Sequence, residues 1–168
     1  MNLGIAIFTF LHVALSLVGI AAGFVVVFGL ISAKQLGKWT TLFFATTAAT
    51  SLTGFLFPFH KLLPSHVIGL VSLVVLTIAF LARYIRRLTG AWRWLYVVNV
   101  VTALYLNVFV LVAQAFLKIQ ALKAMAPTQS EPPFLVAQLV VMALLVVLGI
   151  FAVKRFHPEL VRGVVAFG

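Results

Sequence analysis

The chain has 168 residues, of which 64% are hydrophobic and only 8% charged, with a mean hydropathy of +1.24. A soluble domain carries about 25% charged residues, so disorder, a nucleic-acid-binding tail and an ordinary water-soluble enzyme are excluded, and one integral membrane domain over 1–168 is expected. The formal charge of +10 comes from 12 Lys and Arg against 2 Asp and Glu, and every cation stands between apolar runs or at their edges, as at a membrane flank touching anionic lipid.

A spanning helix needs about 20 mostly apolar residues. Five runs meet that expectation, at 5–31, 40–59, 66–83, 94–117 and 134–153. They are continuous and do not alternate every second residue, which favours an all-α bundle over a β-barrel. The first run is roughly 40 Å long as a helix, so it should tilt or project. No Lys or Arg precedes it, and it is far longer than a signal-peptide core, so it reads as a span and not a cleaved leader. The second run is diluted by Thr40, Thr41, Thr46, Thr47, Thr50, Ser51 and Thr53. After the fourth comes KIQALKAMA, with Ile119, Leu122 and Met125 at helical spacing, which predicts a short interfacial helix or an extension of the fourth span. Thr128 or Ser130 could cap the fifth helix, with Pro132 and Pro133 in its first turn.

Five spans put the termini on opposite sides. Lys34, Lys38, Arg83, Arg86, Arg87, Arg93, Lys154, Arg155 and Arg162 fall on one side, nine cations against three (Lys61, Lys118 and Lys123) on the other. The positive-inside rule places the nine in the cytoplasm, hence the N-terminus outside and the C-terminus inside. Trp39, Tyr84, Trp92, Trp94 and Tyr96 cluster at that same boundary, as headgroup-layer aromatics do. A bacterial inner membrane is the expected location. Arg83, Arg86, Arg87 and Arg93 read first as topological anchors and second as contacts for anionic headgroups.

Polar residues recur along each run at three- or four-residue spacing: His12, Ser16, Gly19 and Gly23; Thr46, Thr50 and Thr53; His66, Gly69 and Ser72; Asn99, Asn107 and Gln114; Gln138 and Gly149. Gly19 and Gly23 form a small-xxx-small pair for close helix packing, with a pore between protomers of a homo-oligomer as the alternative use of that face. The threonines can bond to their own helix carbonyls. Asn107 lies near mid-membrane, where an amide must find partners. His12, His60 and His66 fall towards the outside, at a depth like that of Gln114 and Gln138. The expectation is a polar cluster in the outer third of the bundle, built from His12, His60, His66, Asn107, Gln114 and Gln138.

Several chemistries could use that cluster. A neutral imidazole with amides suits a small neutral or anionic ligand, which makes non-enzymatic binding or transport the leading expectation. His12 and His66 could instead hold a b-type haem for electron transfer. A three-histidine set could hold copper or zinc, although no carboxylate is near to orient it. An accessory subunit of a larger membrane complex fits the same features. There is no cysteine, which excludes disulfides, zinc–thiolate sites and iron–sulfur clusters. There is also no Asp, and neither an HExxH nor a GxSxG motif, so an intramembrane hydrolase is the weakest reading. With Glu131 and Glu159 both outside the apolar runs, no mid-membrane carboxylate exists for ion coupling.

Overall fold

The computed structural model describes residues 3–56 and 64–157. Within them the chain forms α1 (Leu3–Ile31), α2 (Gly37–Gly54), α3 (Pro64–Phe80), α4 (Ala91–Lys118), α5 (Gln120–Met125) and α6 (Pro132–Arg155), and no strand occurs among the described residues. α3 runs on into one π-helical turn, Leu81–Ile85. Four stretches are long and apolar enough to cross a membrane: Leu3–Ile31, His66–Ile85, Ala91–Lys118 and Pro132–Arg155.

α2 is not among those four: it starts earlier than the second expected run, 40–59, whose residues 57–59 lie outside the described residues. It begins at Gly37, takes in Lys38 and a threonine-rich middle, and closes at Gly54, ahead of a segment containing Pro58. Its 18 residues rise about 27 Å, close to a bilayer core in length, but its composition is too polar. The KIQALKAMA segment resolves as a separate short helix, because Ile119 leaves the helical region at φ −86°, ψ 115°.

The expected cap of α6 is also corrected. Its N-cap residue is Glu131, and neither Thr128 nor Ser130 bonds into the helix. The Glu131 carboxylate instead turns back, accepting from the Thr128 amide at 3.1 Å, the Thr128 hydroxyl at 2.8 Å and the Ser130 amide at 3.1 Å. Pro132 and Pro133 then open the helix, where a missing N–H costs nothing.

α1 and α2 run antiparallel in close register. The Cβ position of Gly29 points at Leu36, that of Gly23 at Phe43 and that of Gly19 at Thr46, and the His12 ring reaches Thr53. α4 packs against α1, α3 and α6, and α1 also touches α6. The α4–α6 pair is antiparallel too: Gly149 faces Val101, Phe134 meets Phe116, and the Arg93 guanidinium donates to the Phe156 carbonyl at 2.6 Å. That last bond closes the C-terminal end of α6, where helix carbonyls lack partners.

The core is not centred. Its apolar members include Val26, Val27 and Leu30 of α1, Phe43 of α2, Ala79 of α3, Tyr96, Val97 and Val100 of α4, and Ala152 of α6. They gather in the half of the bundle holding Ile31, Gly37, Arg86 and Arg155, called the inner end here after the charge-based orientation. Leu88 and Phe156 plug that end, both buried. At the opposite, outer end no described residue of α1 before Gly19 is buried.

Candidate functional site

The middle of the bundle contains a polar link between α4 and α2. Asn107 Nδ2 of α4 donates to Thr47 Oγ1 of α2 at 2.9 Å, with Asn107 7% exposed and Thr47 fully buried. It is reached because Gly19 and Gly23 let α1 come close. A methyl on Gly19 would lie 3.1 Å from Thr46 Oγ1 and 3.4 Å from Thr47 Oγ1, and one on Gly23 would lie 2.8 Å from Leu104 and 2.9 Å from Phe43. The small-residue face is therefore filled from within the same chain by α2 and α4. The expected alternative, a pore between protomers through this face, has no room there.

One turn outward from Thr47 stands Thr50. Thr40, Thr41, Thr46 and Thr53 donate their hydroxyls to carbonyls four residues back, at 2.7–3.1 Å. Thr50 breaks the pattern: its Oγ1 is buried and has no hydrogen-bond partner. On α6, Gln138 is 6% exposed. Its Nε2 donates to the Phe109 carbonyl at 3.1 Å, while its Oε1 is buried and also lacks a partner. Thr47 touches Asn107, so Thr50 rises about 4.5 Å above that link and the Phe109 peptide about 3 Å. The two orphan oxygens thus belong to residues at a similar depth, on α2 and α6, which make little direct contact with each other. The α1–α2 register brings Ser16 opposite Thr50 at the same level.

The histidines lie further out. His12 Nδ1 is 2.9 Å from Thr53 Oγ1. The Thr53 hydroxyl also lies 2.7 Å from the Ala49 carbonyl, so it joins the imidazole to the backbone of α2. His66 of α3 is buried, and its ring lies 5.5 Å from that of Phe55. Thr53 and Phe55 are two residues apart, which places them on nearly opposite faces at the end of α2. α2 stands between the anchor points of the two imidazoles. This arrangement does not favour a single haem bridging His12 and His66. No cluster of three or more metal-ligating side chains occurs among the described residues. His60 lies outside them.

Of the expected cluster, Asn107 and Gln138 are buried at or beside that depth, and His12 joins α1 to α2 just above it. Gln114 is exposed. It shares the face of Asn107, seven residues on, at the level where α2 ends at Gly54, seven residues beyond Thr47. Thr47 escaped the sequence reading because it stands one position off the Thr46, Thr50 and Thr53 stripe. Asn99 bonds within its own helix, to Leu95 at 2.8 Å.

At the inner end the four arginines divide. Arg93 is half-buried and closes α6. Arg83 is half-buried and donates from Nη1 to the Tyr96 phenol at 3.2 Å. Arg86 and Arg87 are exposed, with Arg86 stacked on Trp92 at 5.1 Å.

No family model matches the chain, and no curated protein or solved structure is found to be similar to it.

Proposed function

We propose that the chain is a five-span bacterial inner-membrane protein, N-terminus outside, that binds a small uncharged polar ligand entering from the outer end of its bundle. The observation that carries this reading is the pair of buried, unpartnered oxygens, Thr50 Oγ1 and Gln138 Oε1, in a layer at similar depth. A polar atom without a partner in a hydrocarbon environment costs several kcal/mol, roughly, so a persistent pair of them is best explained by a guest that bonds to both regions. The threonine can donate or accept and the amide oxygen can only accept, so the guest must carry a hydroxyl or N–H donor. Neutrality follows from the absence of a carboxylate or cation in the layer among the described residues. Entry from the outer end is supported by the off-centre core, which is sealed by Leu88 and Phe156 at one end and thin at the other.

The five-span reading is supported by the register of α2. It lies against α1 from Gly29 to His12, over Leu36 to Thr53, and Thr40, Thr46 and Thr53 spend their hydroxyls on their own helix. Its neighbours shelter what composition alone makes too polar.

The test is mass spectrometry of small molecules extracted from protein purified in mild detergent, comparing wild type with Gln138→Met and Thr50→Val. A hydroxyl- or amine-bearing compound at near-stoichiometric level in wild type, and depleted in both variants, is the expected result. If nothing is depleted and both variants melt higher than wild type, the oxygens are simply unsatisfied and the binding role fails, since apolar replacement of an orphan buried group is neutral or stabilising. A Soret band in the same preparation would replace this reading with the haem one.

A further inference from the structure

We propose that the corner between the α2 N-terminus and the π turn after α3 holds the phosphate of an anionic phospholipid in the leaflet at the inner end. The inference rests on the membrane placement above but not on the ligand layer.

Arg83 is the centre of the corner. Its guanidinium carbon lies 5.6 Å from the ring centres of both Tyr84 and Tyr96, and Nη1 is held by the Tyr96 phenol. The group is therefore fixed between two aromatic faces. Its other terminal nitrogen, Nη2, lies 3.8 Å from the Cβ position of Gly37, so it points at the first turn of α2. The phenol takes one of five guanidinium N–H donors, and no other acceptor meets them among the described residues. The π turn contributes directly, because Arg83 belongs to it and its Leu81 carbonyl accepts from the Arg86 amide at 2.9 Å.

Further cations surround this fork. Lys34 and Lys38 sit on the neighbouring turn and first turn of α2, both exposed, and Arg86 and Arg87 leave the π turn towards solvent. Arg87 and Leu88 hold φ of 49° and 60°, a region unfavourable for side-chain-bearing residues. Leu88 is buried and locks that backbone, which presents Arg86 and Arg87 outward together. Among the described residues no carboxylate answers these charges. The chain has only Glu131, at the opposite end of the bundle, and Glu159, outside the described residues. A planar fork flanked by point charges at the level of the aromatic belt matches a phosphate with net negative charge.

The test is native mass spectrometry in mild detergent, titrating phosphatidylglycerol, phosphatidylcholine of the same chains, and inorganic phosphate. Phosphatidylglycerol should bind at least about tenfold tighter than phosphatidylcholine, with inorganic phosphate failing to displace it at millimolar level. The exposed pair Arg86→Gln with Arg87→Gln should weaken it about twenty-fivefold, at about fivefold per cation. Arg83→Lys, which keeps the charge and removes the fork, should also weaken it. Lys154→Gln with Arg155→Gln, at the end of α6, should leave it unchanged. Equal loss in the α6 pair would mean diffuse attraction and overturn the corner site. Equal binding of the two lipids would overturn charge recognition, and displacement by inorganic phosphate would overturn the lipid. Gln138→Met should leave lipid binding intact, so the two proposals fail separately.

Discussion

Asn107 shows how little a single polar residue reveals before its neighbours are known. Its amide sits in the middle of a long apolar helix, and its hydrogen bond to Thr47 ties α4 to α2, which otherwise barely touch. Replacing Asn107 with Leu should destabilise the bundle, and Thr47→Val in the same background should cost little more. The coupling from the double-mutant cycle should be about 0.6–1.7 kcal/mol, the range for buried polar pairs between membrane helices. It would be read from unfolding in mixed micelles, and strictly additive effects would mean that the pair contributes nothing. Spacing alone marked Asn107, Gln138 and His12 as inward-facing, because polar side chains avoid acyl chains and the three- to four-residue period fixes their face. It could not mark Thr47, whose partner is sixty residues away, nor show that Gln114 lies level with the end of α2 and is exposed. Face is a local property, whereas cover depends on where a neighbouring helix stops.

At the level of the element, the helix ends carry more information than their interiors. α6 is held at one end by Arg93 on the Phe156 carbonyl and begins at the other beside a carboxylate-centred turn. Partial desolvation of Glu131 pushes its carboxyl up, but the bonds from the Thr128 hydroxyl and the Thr128 and Ser130 amides outweigh this, so its pKa lies below the ordinary 4.5. A depressed carboxyl contributes stability that is complete above 4.5 and lost as pH falls through its folded value. The amide signals of Thr128 and Ser130 should therefore titrate with a midpoint below 4.5, and Glu131→Gln should abolish that titration. A midpoint at or above 4.5, or an unchanged titration in the variant, would contradict it. The sequence pattern gave the four apolar helices within a few residues, since length and hydropathy suffice there. The first run ends at Ile31 as expected, but the turn that follows it was less legible. Ala33 takes φ 56° in a position usually held by glycine, with the Ala33 amide bonding to Leu30 and the Lys34 amide to Gly29.

For the whole molecule, the decisive element is α2, because composition and packing pull in opposite directions. Its threonine content removes it from the apolar helices, yet it pairs with α1 along its full length and shares a level with α4 at Thr47 and Asn107. If it crosses with them, Gln35 and Leu56, at its two ends, lie on opposite faces of the membrane. The chain has no cysteine, so single substitutions report cleanly. Gln35→Cys, Leu56→Cys and Ala124→Cys all fall at exposed positions. In intact cells an impermeant maleimide should label Leu56→Cys and Ala124→Cys, and Gln35→Cys only after lysis. Labelling of Gln35→Cys alone would invert the bundle and put the sealed end outside. Identical behaviour of Gln35→Cys, Leu56→Cys and Ala124→Cys, all labelled or all protected until lysis, would mean that α2 does not cross, because α3 and α4 return Ala124 to the side of Leu56. The layer of Thr50 and Gln138 would then open to the cytoplasmic side of α2, and the outer entry route would be lost with it.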